Sequence, residues 1–166
     1  MKATLLLATS LLAAGLGAPV LAHPGHEASR VIVLVNEARS RPRPCGHGHF
    51  GPASAVTAEP RLARAAEGHA ADMAKNGFFS HIGSDRSDPR ERVTRTGYIW
   101  TLVGENIAAG YPGAAETVAA WLGSPGHCRI IMDARFSEAG AARVTGGRYE
   151  TYWALVMARP LGAARR

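Results

Sequence analysis

His81, Glu105 and His127 are the side chains whose types suit proton transfer, metal binding or polar recognition. His81 follows Phe78-Phe79-Ser80, just past the end of an expected helix, so an apolar wall can hold its ring at the edge of a cleft. His127 closes Ser124-Pro125-Gly126-His127, the opening turn of another expected helix. Glu105 stands between Gly104 and Asn106 in an otherwise apolar run. A carboxylate there must be paired or hydrogen-bonded, because an isolated buried charge is costly. Two imidazoles and one carboxylate meeting in space make a divalent-metal set with an open position for water. The three are too far apart in sequence to be a local metal signature, so their convergence depends on the fold.

The remaining candidates read more plainly. His69 lies on the apolar stripe of an expected helix, as a core histidine bonded to backbone. His23 and His26 fall in a polar N-terminal tail, and His47 and His49 in a Gly-rich loop with no acidic or cysteine neighbours to complete a metal set. Ser80 and Ser124 neighbour histidines, yet neither stands in a Gly-x-Ser-x-Gly elbow and no Asp is placed to orient either ring. Ser124 reads as a helix N-cap. Cys45 and Cys128 would pair in an oxidising compartment and restrict the unfolded chain. The alternative is two free buried thiols, and a nucleophilic cysteine would need the reduced form.

The elements that position these residues follow from length and pattern. The 166 residues are 46% hydrophobic and 19% charged, enough for one domain with a core. Residues 1–22 read as a signal peptide: Lys2, an apolar stretch, then Val20-Leu21-Ala22 at the cleavage spacing. Export to the periplasm or outside the cell follows from that reading. Residues 23–29 are expected as a flexible mature N-terminus, 30–160 as the domain and 161–166 as a tail. With no other long apolar run, an integral membrane protein is excluded. The formal net charge is +6. Its arginines are scattered without interleaved aromatics, so nucleic acid is not an expected partner. Two cysteines exclude a disulfide-dense miniprotein and a four-thiolate zinc site.

Helices are expected over 28–39, 59–75, 113–122 and from Ser124-Pro125 through Met132. Asp88-Pro89-Arg90-Glu91 has the pattern of a capping box opening a short helix that stops at Gly97. Residues 41–57, rich in Pro, Gly and His, read as a loop. A strand is expected over 98–109, interrupted at Gly104-Glu105-Asn106. Strands at 138–145 and 148–158 flank Gly146-Gly147, a hairpin signal. The second of these is apolar on both alternation faces, so Trp153 belongs to a central strand covered on both sides. The fold class is α+β, a sheet between helical layers.

Taken together, LVNEAR (34–39), AADMAKNGFFSH (70–81), Gly97-Tyr98, GENIAAG (104–110), WLGSPGH (121–127) and Tyr152-Trp153 resemble the CAP superfamily. This is the group of cysteine-rich secretory, antigen 5 and pathogenesis-related proteins, also called the SCP domain, here most like its bacterial secreted single-domain branch. The resemblance runs over about 30–158. It implies a three-layer α-β-α sandwich with a mainly antiparallel central sheet and a large cleft carrying two His and two Glu. His81 matches the first His, Glu105 the Glu of the GEN motif and His127 the second His. The second Glu position holds Ser124, a departure that weakens metal binding. Asn106 and Ser124 complete the expected cleft. The function implied is a monomeric, non-catalytic binding module for an apolar or amphipathic ligand, lipid or sterol-like, or for a cell-envelope or host component. The alternative is a metal-assisted hydrolase using His81, Glu105 and His127. No cofactor is required; a metal such as zinc would be held weakly by His81 and His127.

Overall fold

The computed structural model describes residues 24–162. The expected leader, its cleavage site and residues 163–166 lie outside the described residues. In chain order the elements are α1 (Pro24–Arg39), β1 (Arg43–Cys45), β2 (Gly48–Phe50), β3 (Thr57–Ala58), α2 (Pro60–Asn76), α3 (Pro89–Arg95), β4 (Trp100–Ala109), α4 (Ala114–Gly123), α5 (Pro125–Met132), β5 (Glu138–Thr145) and β6 (Thr151–Pro160). No helix of the described residues is long and apolar enough to cross a membrane.

Local chemistry starts and stops the helices. Pro60 sits in the first turn of α2, where its missing N–H costs nothing, and the Glu59 side chain accepts from Arg61 N. Helix α3 opens with the expected capping box: Asp88 accepts from Glu91 N while the Glu91 side chain accepts from Asp88 N.

The main sheet runs β3-β5-β6-β4, antiparallel except for the short β3–β5 pair. Strand β6 lies between β5 and β4, so its side chains are covered on both faces. Trp153, Leu155 and Met157 pack with Val31, Val35, Trp121 and Ile131 of α1, α4 and α5. Tyr152, Ala154 and Val156 pack with Leu62, Ala66, Met73 and Val93 of α2 and α3. This is the expected three-layer sandwich, with Trp153 central.

Two long-range ties fasten the α1/α4/α5 layer. Cys45 and Cys128 form a disulfide across 83 positions, worth about 4–5 kcal/mol on chain-entropy grounds. The buried Arg39 guanidinium donates to four carbonyls: Ser54 at 2.8 Å, Ile131 at 2.7 Å, and Asp133 and Phe136 each at 3.0 Å. Burial pulls its pKa down, with Asp133 opposing.

Four expectations change. Residues 24–29 are helical, not a flexible N-terminus. Glu27 accepts from Ala114 N at 2.8 Å, a carboxylate on the positive end of α4. The expected loop at 41–57 contains the β1–β2 hairpin, pinned by the disulfide at Cys45, and the start of β3. Strand β4 is not interrupted at Gly104-Glu105-Asn106, because Glu105 pairs in register with Val156 and Asn106 with Leu155. Finally, β6 begins at Thr151, and Arg148 and Tyr149 belong to a wider turn closed by Gly146 N donating to Glu150 O at 2.8 Å. Gly147 in that turn has φ +63°, and a Cβ there would lie 2.4 Å from the Ala74 carbonyl oxygen.

Candidate functional site

Strand β4 is an edge strand, and its alternation sends Glu105 toward the α2/α3 layer and Asn106 toward α5. Glu105 is buried, and both of its oxygens are taken. Oε1 accepts from His81 Nδ1 at 2.9 Å, and Oε2 accepts from Arg92 Nη2 at 2.8 Å. His69 Nε2 lies 3.8 Å from Oε1. Arg92, from α3, also donates to the His81 carbonyl at 3.0 Å and to the Ser87 carbonyl at 2.7 Å. One guanidinium therefore neutralises the carboxylate and fixes the backbone that carries His81.

The hydrogen bonds set the tautomers. With Nδ1 donating to a carboxylate, a neutral His81 has its lone pair on Nε2, on a ring that is about half exposed. His69 is fully buried, and its Nε2 donates to the Ser80 carbonyl at 2.8 Å while Nδ1 has no partner among the described residues. Burial pulls its pKa down against the opposing pull of Glu105, which keeps the ring neutral. It is the expected core histidine, and it holds the Phe78-Phe79-Ser80 turn from beneath.

His127 comes from the opposite layer. Its carbonyl accepts from Asn106 Nδ2 at 3.1 Å. Burial lowers its pKa, and the charge of His81 lowers it further. Ser124 sits at the N-cap position of α5, but its side chain makes no capping bond there, which corrects the expectation; its backbone ties the two helices, the N–H donating to the Trp121 carbonyl at 3.2 Å and the carbonyl accepting from Cys128 N at 2.9 Å. Phe79 and Ile82, each about half exposed, flank His81 in sequence as apolar neighbours.

The residues do not fit the three-ligand metal centre that His81, Glu105 and His127 suggested. Among the described residues no group of three or more His, Cys, Asp or Glu is arranged to hold a metal. The buried Glu105 carboxylate already has its charge balanced by the Arg92 guanidinium, and an ion would have to compete with that cation and with His81 for its oxygens. Sequence reasoning missed Arg92 and the positioning role of His69. The available signal was the demand Glu105 makes for a buried cation.

The model of the cysteine-rich secretory protein family, CAP, matches residues 34–157. The uncharacterized membrane protein YlbC of Bacillus subtilis (strain 168) is 31% identical over 78 residues, 47% of this chain and 22% of YlbC. The chain spans about a third or less of the curated relatives it matches. An extracellular SCP-domain protein of Bacillus anthracis str. Ames superposes with a TM-score of 0.69 at 26% identity, over 82% of this chain and 41% of that one. An outer surface protein of Borrelia burgdorferi gives 0.68 at 16% identity, over 83% of this chain and 96% of that one. The second likeness is one of fold.

Proposed function

Because this chain belongs to the CAP family of cysteine-rich secretory proteins, we propose that it is an exported binding module with no turnover of its own. The observation that carries the reading is the commitment of Glu105. A general base must come within hydrogen-bond reach of the proton it takes, and the Glu105 side chain is buried, with one oxygen on Arg92 and the other on His81. What the site offers outward is the half-exposed His81 ring, with Phe79 and Ile82 close to it in sequence and also half exposed, together with the partly exposed His127. When neutral, the two imidazoles accept hydrogen bonds. Such a surface suits an amphipathic molecule with a hydroxyl or amine head and an apolar body, drawn from a cell envelope or a host. A divalent ion such as zinc competes with protons for the same ring lone pairs and is held weakly.

The test is to recover the protein from its exported pool and identify by mass spectrometry what copurifies. The expected result is an amphipathic species lost from the His81→Ala/His127→Ala double variant. Equal retention by that variant would move the binding elsewhere. Turnover of an envelope molecule that Glu105→Gln abolishes would overturn the non-catalytic reading.

A further inference from the structure

We propose a second binding site, at the opposite edge of the sheet from His81, that takes an extended polypeptide strand bearing a basic side chain. Strand β3 pairs with β5 only at Thr57↔Glu138 and Ala58↔Ala139. Glu59 N then donates to the Ala139 carbonyl at 2.9 Å, and Pro60 turns the chain into α2. From residue 140 onward no strand among the described residues continues that lane. The lane is not filled by solid protein. It is a groove of about 650 Å³, floored by residues 140–143 and walled by Ile32 and Val33 of α1 and by Pro60 and Ala63 of α2.

The floor decides what kind of occupant fits. An acyl chain lying there would bury the outer-edge N–H and C=O groups of β5 without partners, which is costly. A peptide strand pairs with them and lays alternate side chains on the two apolar walls. The lane is continuous with the β3–β5 pairing already present. Small residues, Gly140, Ala141 and Ala142, line the approach. Gly140 has no room for a side chain, since a Cβ would lie 2.0 Å from Ala63 N, so the α2 wall rides directly on the strand. Residues 140–145 hold no Pro or Lys to blunt the edge. The one charge, Arg143, lies with its guanidinium 5.5 Å from the centre of the Trp153 ring.

Charge selects among strands. On the α2 wall, Glu59 is held by Arg61 at 2.7 Å. Glu67 is exposed and has no ion-pair partner among the described residues. A strand with a Lys or Arg facing α2 meets that carboxylate.

The probe is an equimolar library of acetylated, amidated hexapeptides in which Val or Ile alternates with Thr, Lys or Glu. A twin library is N-methylated at every second residue. Hydrogen exchange of the full exported protein is read by NMR. The library should slow the edge-facing amides of residues 140–145 at least tenfold, and the twin library should not. Captured peptides should favour Lys over Glu in the wild type and reverse at least fivefold in Glu67→Lys. Val33→Asp should abolish capture. Unslowed exchange at millimolar library, or equal slowing by the twin, overturns the proposal. So does occupancy by decanoate that excludes the peptides, which would make the groove an acyl site. Protection that rises with protein concentration in the absence of peptide would assign the lane to a second copy and also overturn it.

Discussion

The two edges of one sheet are treated in opposite ways. At β4 the edge is closed by side chains. Trp121 Nε1 donates to the Ile107 carbonyl at 2.9 Å, Asn106 reaches the His127 carbonyl, and Glu105 is locked to Arg92 and His81. Residues 105–108 are buried although, among the described residues, no strand lies on the side away from β6. At β5 the edge is walled by two helices but not capped. An unpaired strand can be blunted by covering it. Covering with polar and aromatic side chains builds a rigid polar site as a by-product, whereas walling with alanine, valine and proline leaves an apolar lane.

The largest test of that contrast is at the closed edge. Glu105→Ala leaves Arg92 buried without its counter-charge, and breaking such a pair costs about 3–5 kcal/mol. Urea denaturation should show this loss, and adding Arg92→Met should restore part of it by removing the stranded cation. A loss under about 1 kcal/mol for Glu105→Ala would mean that this edge is not held by its charges.

A second substitution separates capping from packing. Trp121→Phe keeps most of the ring in the core but leaves the Ile107 carbonyl unsatisfied, a penalty of about 1–3 kcal/mol. Amide exchange in residues 105–108 should rise in step with the loss of stability, while residues 140–144 keep their wild-type rates relative to global unfolding. Equal loosening at both edges would dissolve the distinction.

How legible these edges are in the sequence depends on the range of the interactions. The capping box at Asp88 and Glu91 is local and visible, and so is the double-faced apolar pattern around Trp153. The polar pair Glu105-Asn106 inside an apolar run reads as a break in the strand, because its partners lie elsewhere. Arg92 is 13 positions away on a different element, and the His127 carbonyl is 21 away. Tertiary pairing keeps β4 whole where local pattern argues against it. The β1–β2 hairpin is hidden for a similar reason, since a short strand pair in a Pro- and Gly-rich stretch is held by a disulfide to α5. Residues 24–29 read as a tail because the Glu27 contact with α4 spans 87 positions.

Acid should act on one edge alone. His69 and His127 both have folded pKa values below the ordinary imidazole value of about 6.5. The unfolded chain therefore takes up their protons first as pH falls. Their contribution to stability is whole above about pH 6.5 and declines below it, until the folded pKa values are reached. Between pH 7 and 5, exchange corrected for its intrinsic rate and taken relative to global unfolding should increase at residues 104–108 and stay level at 140–144. His127→Gln should flatten part of the decline, an effect smaller than that of Trp121→Phe. A steeper decline in His127→Gln would reverse the assigned direction of its shift.

The smallest expected effect is at the open edge, and its smallness is informative. Val33 is 56% exposed on α1 although it faces the groove. Surface substitutions away from special features change stability by no more than about 0.5 kcal/mol. Val33→Asp should therefore leave the urea midpoint nearly unchanged, apart from the modest loss of helix propensity that Asp brings. Placing the same charge at Ala108, which is buried under the closed edge, should prevent stable folding, because nothing there can pair with it. If Val33→Asp instead cost several kcal/mol, the α1 wall would be packed against protein in solution. The lane beside β5 would then be filled by the chain itself, and the contrast between a closed edge and an open one would be lost.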